Sequence, residues 1–351
     1  MEAVDVRGRF VWHELMTRDV PESKKFYSKL LGWKPQAWPL DPAYTVCHSE
    51  QGPTAGIYAI PADMPAEVPA HWLGYVGTRD VDGTVAAAVR AGGSIIKGPE
   101  DIPGAGRSAV LNDPQGAEFA ILDPENSRPE AEGMQPAGSF SWHELAATDV
   151  DAAFSFYSDL FGWDALMRMP LDGGETYLIF GNNGIQRGGI YKKPADMPGP
   201  PNWLHYAQVT DADAAWRTAE SGGAKLMTGP MDVPGGSRIV AFFDPTGAAF
   251  AVASTQASAQ PAESVPGKPK TKPKAKSPMK AKAARTKAKA KAKSKSKAKT
   301  KTRVKAARKV SPKKGKAAKK SAAKKKRAAP KRNSSKPKIA RKKTRNVRRK
   351  K

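Results

Sequence analysis

Apolar and polar positions alternate from Phe10 to Met16, as a strand with two unlike faces requires, and the period then changes. Asp19-Val20-Pro21-Glu22 opens a helix with an acidic N-cap and a glutamate at the third helical position. Phe26, Tyr27, Leu30 and Leu31 give that helix an i, i+4 apolar stripe, and Gly32 ends it. Short strands are predicted at 33–38, 44–48 and 55–60. The order then recurs, with a strand at 72–78, a helix at 81–91 closed by Gly92-Gly93, and strands near 94–97, 107–111 and 117–122. The pattern therefore parses as βαβββ, twice.

The same parse returns about 130 residues later. The string WHEL stands at Trp12–Leu15 and at Trp142–Leu145, Phe26-Tyr27 returns as Phe156-Tyr157, and Gly32-Trp33 as Gly162-Trp163. Gly92-Gly93 returns as Gly222-Gly223, and PADMP at 61–65 returns at 194–198. With the register moved by one, Trp72-Leu73, Tyr75, Arg107, Asp113-Pro114, Gly116 and Phe119 return as Trp203-Leu204, Tyr206, Arg238, Asp244-Pro245, Gly247 and Phe250. A repeat this long is a domain rather than a solenoid unit. The predicted organisation is a first domain at 1–125, a linker at 126–138, a second domain at 139–255 and a basic tail at 256–351, with each domain long enough for a core of its own.

Charge divides the chain more sharply than the repeat does. From Gly267 to Lys351 there are 41 Lys and Arg and no Asp or Glu, whereas the preceding 266 residues carry 19 basic against 33 acidic side chains. The tail also holds no Trp, Tyr or Phe, so it is expected to be disordered in isolation, without the apolar area to offset chain entropy. The single cysteine, Cys47, excludes an intrachain disulfide; without a recurring basic neighbour, it is not expected to act as a nucleophile. The N-terminus MEAVDVRGRF has neither a basic leader nor an apolar run, and no stretch approaches the roughly 20 apolar residues of a membrane span. An intracellular location is expected, cytoplasmic and, in a bacterium, nucleoid-associated.

The early strands, FYSKLLGW (26–33) and FYSDLFGW (156–163), the paired glycines, and DPQGAEF (113–119) and DPTGAAF (244–250) carry a resemblance to the vicinal oxygen chelate superfamily of glyoxalases, bleomycin-resistance proteins and extradiol dioxygenases. The resemblance implies an α+β fold of two tandem domains, each of paired βαβββ modules curled into an open cleft. Whether the modules closing a cleft come from one copy or are exchanged stays open. The family usually holds a divalent metal there on His or Glu. Carried onto this chain, its positions fall on Trp12 and Trp142, near Leu73 and Leu204, on Ala120 and Ala251, and near Ile57 or Tyr58 and Ile190 or Tyr191. None of the first three pairs is a competent ligand, so no metal or other cofactor is expected.

Strand alternation separates His13 from Glu14, so WHEL is no chelate. With Trp12 and Glu14 on the cleft face, His13 shares the other face with Val11 and Leu15, and His13 and His143 read as hydrogen-bonded structural residues. His48, His71 and His205 do not recur and read as surface or loop residues. Glu14 and Glu144, partly desolvated beside tryptophans, are the candidate catalytic bases or ligand anchors; pairing with Arg107 or Arg238 across the sheet is the structural alternative. Trp12, Trp142, Tyr75, Tyr206, Arg107 and Arg238 are the candidate ligand-binding residues, with aromatic core packing the favoured alternative for Tyr75 and Tyr206. Asp113-Pro114 and Gly116 read as a turn.

Two functions stay open: a binding protein that captures a small organic molecule without a metal, and a metal-dependent lyase or dioxygenase acting on a small carbonyl or aromatic substrate. Bleomycin-like sequestration beside DNA would join cleft and tail. The tail resembles those of linker histones and of some bacterial nucleoid proteins. Its clusters include Lys287, Lys289, Lys291, Lys313, Lys314, Lys324, Lys325, Lys326, Arg327, Arg348 and Arg349. Such a polycation binds DNA, or another polyanion, through phosphates and counterion release, without base readout. Gel shifts across a salt series are expected to show nearly all duplex affinity in the tail and none in residues 1–266. Retained binding by the truncated chain, or salt-indifferent binding by the whole one, refutes this.

Overall fold

The computed structural model describes residues 4–127, 129 and 134–255. The first copy runs β1 (Phe10–Thr17), α1 (Val20–Leu31), β2 (Lys34–Trp38), β3 (Asp41–Ser49), β4 (Gly52–Ala59), β5 (His71–Gly77), α2 (Val81–Arg90), β6 (Ser94–Ile102), β7 (Gly106–Asn112) and β8 (Glu118–Pro124). The second runs β9 (Phe140–Ala147), α3 (Val150–Phe161), β10 (Asp164–Pro170), β11 (Thr176–Asn182), β12 (Ile185–Lys192), β13 (Asn202–Gln208), α4 (Ala212–Ser221), β14 (Lys225–Val233), β15 (Ser237–Phe243) and β16 (Ala249–Thr255), with one 3₁₀ turn at Asp172–Gly174. None of these helices is long and apolar enough to cross a membrane. The basic tail, with every lysine and arginine assigned above to nucleic-acid binding, lies outside the described residues, as does part of the linker.

Local chemistry sets the element ends. Asp19, Asp80, Asp149 and Asp211 each accept a hydrogen bond from a backbone N–H three residues on, 2.8 to 3.0 Å away, satisfying an orphan donor of the first turn. Gly32 and Gly162 close α1 and α3 in the left-handed conformation, at φ 71° and 69°, where a side chain would be strained.

Each copy makes one eight-stranded sheet, ordered β2-β3-β4-β1-β5-β8-β7-β6 and β10-β11-β12-β9-β13-β16-β15-β14. β1 runs parallel to β4 and antiparallel to β5, which in turn runs parallel to β8, so the two modules join along the β1–β5 pair. Modules closing a cleft thus come from one copy. The first sheet curls until its ends approach: a Cβ on Gly104, after β6, would lie 2.6 Å from a Leu40 methyl in the β2–β3 hairpin.

The expectation of one core per copy is corrected by the packing. One large core joins α2, β5, β7 and β8 of the first copy to α3 and the first strands of the second; the other joins α1 and β4 to α4, β15 and β16. Matching polar ties cross with the apolar ones. Trp72 Nε1 donates to Tyr27 Oη at 2.8 Å, which donates to Asp244 Oδ2 at 2.9 Å. Trp203 Nε1, Tyr157 Oη and Asp113 Oδ2 repeat the chain at 3.1 and 3.1 Å. Asp113 and Asp244 do turn the chain into the last strand, each accepting two backbone N–H bonds, but they are buried and also bind the other copy.

Tyr27→Phe and Tyr157→Phe each leave a buried aspartate without its cross-copy donor and are expected to lower stability by about 1–3 kcal/mol in urea unfolding. A loss below about 0.5 kcal/mol in both would show that the cross-copy bonds do not hold the copies together.

Candidate functional site

The concave face of each sheet gathers the paired residues expected there, around one glutamate. In β1, His13, Leu15 and Thr17 are buried on the helix side, and Glu14 turns to the concave side with Trp12. A register shift between Phe10 and Trp12 puts Val11 in the concave cluster and Phe10, rather than Val11, against His13. Across the sheet Glu14 lies beside Gly56 and Leu73, Trp12 beside Tyr75, and Tyr75 beside Ala120. Copy two matches, with Glu144 beside Gly189 and Leu204, Trp142 beside Tyr206, and Tyr206 beside Ala251.

In the second cleft, Tyr177 Oη donates to Glu144 Oε1 at 2.7 Å and Tyr206 Oη to Glu144 Oε2 at 2.9 Å, while Trp142 Nε1 donates to Tyr177 Oη at 3.0 Å. Glu14 is bonded in the same way by Tyr44 and Tyr75, and Trp12 Nε1 donates to Tyr44 Oη at 2.9 Å. Burial pushes both carboxyl groups above the usual glutamate range, and the tyrosine bonds pull in the opposite direction. Burial and the adjacent carboxylate push all four tyrosines up, so they remain donors.

Tyr44 and Tyr177 were not singled out in the sequence. The signal was present, for they recur at 133 residues, the spacing of the PADMP strings, and not at 130. Gly56 and Gly189 exist for them: a Cβ at either position would lie 1.8 or 2.1 Å from the tyrosine ring or hydroxyl that covers it. Tyr58 and Tyr191 complete each set, their rings 6.0 and 6.4 Å from Tyr44 and Tyr177.

Arg107 and Arg238 do not join the clefts. Along β7, Ala109 and Leu111 enter a helix-side core while Val110 enters the concave cluster, so the period of two carries Arg107 to the helix side. There it makes two bonds to Asp82 at the start of α2, at 2.7 and 2.9 Å, and one to Asp101 at 2.9 Å. Arg238 does the same with Asp213 and Asp232. Neither arginine pairs with a glutamate of the cleft, so the expected pairing of Glu14 or Glu144 with Arg107 or Arg238 is corrected. His205 is likewise no surface residue, being 1% exposed on β13. Cys47 is buried, and desolvation pushes its thiol up to about 12.

The two clefts differ at their mouths. His71, Lys97, Glu100 and Glu118 act electrostatically on Glu14 or Tyr75. One register step along the repeat, the second copy has Asn202, Thr228, Met231 and Ala249. Leu40 and Trp38 crowd Gly104 in the first copy, whereas nothing lies within 4 Å of the position a Cβ would take on Gly235, its counterpart. At these positions the first copy carries charged side chains and a crowded glycine, and the second carries neither.

The repeated βαβββ fold and its concave sites coincide with a known family: the chain belongs to the Glyoxalase/Bleomycin resistance protein/Dioxygenase superfamily, which matches residues 9–121 and 139–252. Among curated relatives, CFP32 of Mycobacterium tuberculosis (strain CDC 1551 / Oshkosh), provisionally named a glyoxylase, is 31% identical over 245 residues, covering 69% of this chain and 92% of that protein. The anthracycline biosynthesis protein DauV of Streptomyces sp. (strain C5) is 30% identical over 262 residues, covering 70% and 92%. An extradiol ring-cleaving dioxygenase from B. fuscum shares the fold at a TM-score of 0.52 and 15% identity, over 72% of this chain and 73% of that one.

A glutamate whose carboxyl titrates above its unfolded value of about 4.3 opposes folding once ionised. Its contribution is fully present below that value and is lost as pH rises through the folded one. Glu144→Gln is therefore expected to be more stable than the parent at pH 8 and to show less loss of melting temperature between pH 4 and 8. An unchanged pH profile would show that Glu144 does not titrate in that window.

Proposed function

We propose that the two clefts bind small organic molecules directly on the glutamate–tyrosine–tryptophan groups, without the divalent metal usual in the family. The observation that carries this reading is the state of the carboxylates: each glutamate already has two tyrosine hydroxyl donors. A ligand hydroxyl can enter by donating to the carboxylate in place of one tyrosine, whose freed hydroxyl then donates to the ligand oxygen, so that hydrogen bonds are traded rather than lost. The positions that would carry the metal offer Trp12, Leu73 and Ala120, and Trp142, Leu204 and Ala251, leaving each cleft one carboxylate where three protein ligands are typical. The residues present do not fit such an ion.

On this reading the two mouths favour different ligands. Thr228 and Met231 at the second cleft favour an uncharged, flat apolar molecule; Lys97, Glu100 and His71 at the first favour a polar one. The relative DauV, named an anthracycline biosynthesis protein, supports an aromatic ligand. The basic tail would tether these clefts to DNA or another polyanion, so that capture takes place beside the phosphate backbone.

An enzymatic reading rests on one feature, the raised titration of Glu14 and Glu144, which suits a carboxyl group exchanging protons with a bound substrate. On that reading the chain acts as a lyase or dioxygenase on a small carbonyl or aromatic substrate.

Calorimetric titration of the full chain with a hydroxylated anthraquinone is expected to show saturable binding, weakened about tenfold by Tyr206→Phe, the equivalent of one lost hydrogen bond. Tyr75→Phe should leave it unchanged. No saturable binding, or a loss confined to Tyr75→Phe, refutes the assignment to the second cleft.

A further inference from the structure

Behind the two clefts, where β5 and β13 pack together, three buried histidines converge. His13 comes from β1, His143 from β9 and His205 from β13, and one ring nitrogen of each lies within 4.8 Å of the other two. His13 Nε2 is 3.4 Å from His143 Nδ1, which is 3.0 Å from His205 Nδ1. Phe10 stacks on His143 at 3.7 Å between ring centres and Phe140 on His13 at 3.6 Å, fixing the ring planes. The fourth position of the pseudo-symmetric set is Gly74, paired with His13 in the sheet as His205 is paired with His143. A Cβ on Gly74 would lie 2.5 Å from His205 Cε1, so the glycine clears the space that the third imidazole fills.

Hydrogen bonding alone does not account for this arrangement. A neutral imidazole nitrogen either donates one proton or accepts on one in-plane lone pair. His143 Nδ1 faces two nitrogens, and no choice of tautomers turns both contacts into bonds. His205 compounds the mismatch, because its Nε2 is buried with no partner, whichever proton or lone pair it carries. Three lone pairs aimed at one cation remove the conflict at His143. Two of the three separations, 3.0 and 3.4 Å, bracket the edge of about 3.3 Å that a tetrahedron with metal–nitrogen bonds of about 2.05 Å requires, and the third, from His13 to His205, is within 4.8 Å.

We propose that His13, His143 and His205 form a structural site for a borderline divalent cation of the zinc class, clamped between the two copies and separate from the clefts. All three imidazoles are buried, 1 to 6% exposed, and the neutral ring is the form that ligates. Arg187, buried on β12 with its Nε 2.7 Å from Asn182 Oδ1, acts on His143 against positive charge, so the site requires an anionic fourth ligand such as hydroxide to offset it.

The test uses the full chain, unfolded and refolded with excess Zn²⁺ or Co²⁺ and freed of loose ions by gel filtration. Elemental analysis is expected to give one ion per chain, X-ray absorption of the zinc form three imidazole nitrogens, and the cobalt form tetrahedral ligand-field bands. His205→Phe should lower metal content at least about tenfold, and His71→Ala, at the first cleft, should leave it unchanged. Should His205→Phe fail to fold, the cobalt spectrum and zinc coordination shell of the parent chain decide the matter. A chain that refolds with less than about a tenth of an ion, or metal lost in Glu14→Gln but kept in His205→Phe, overturns the site.

Discussion

The constraint on which the rest of the structure depends is that each copy builds its own sheet and its own small concave cluster but shares both large helix-side cores with the other copy. Sheet hydrogen bonds stay within 10–124 or within 140–255, whereas the side chains on the helix faces interdigitate across the repeat. The buried Tyr27–Asp244 and Tyr157–Asp113 bonds fix that exchange in register, since an unpaired buried aspartate is costly while a shifted apolar contact is not. With the convex faces committed to each other, the concave faces are left free to carry the two glutamate sites.

Inside each concavity the same economy recurs on a smaller scale. A carboxylate in a desolvated pocket survives because two phenols and, through one of them, an indole satisfy it. Gly56 and Gly189 let the tyrosine ring lie close over the sheet, so the network is set by backbone as well as by side chains. Matching networks thus lie under different mouths.

Much of this was legible in the chain. Period-two alternation placed Glu14 with Trp12 and apart from His13, and the recurrence of Tyr75 as Tyr206 placed those rings on the same strand positions. What escaped did so for physical reasons. Tyr44 and Tyr177 sit after a change in repeat spacing, so a fixed offset misses them. Arg107 recurs because it ties α2 to β7, and recurrence alone does not tell a structural ion pair from a ligand contact. The bulge after Phe10 shifts which side chain meets His13, a local irregularity that alternation cannot show. Asp113 was legible as a turn and hidden as a partner of Tyr157, because its second role lies 44 residues away. His205 was passed over because its counterpart is a glycine, and the absence of a repeat was the informative fact.

That one mismatched pair, Gly74 against His205, bears on the history of the fold. A single copy making the same contacts would be a two-fold dimer, in which facing positions near the axis must be the same residue. Two histidines there would collide, as the 2.5 Å approach to Gly74 shows, and two glycines would leave a void beside His13 and His143. Joining the copies in one chain is what allows the halves to be unlike at that point. Covalent linkage thus does more than keep the partners together, because it permits a broken symmetry that no homodimer can encode.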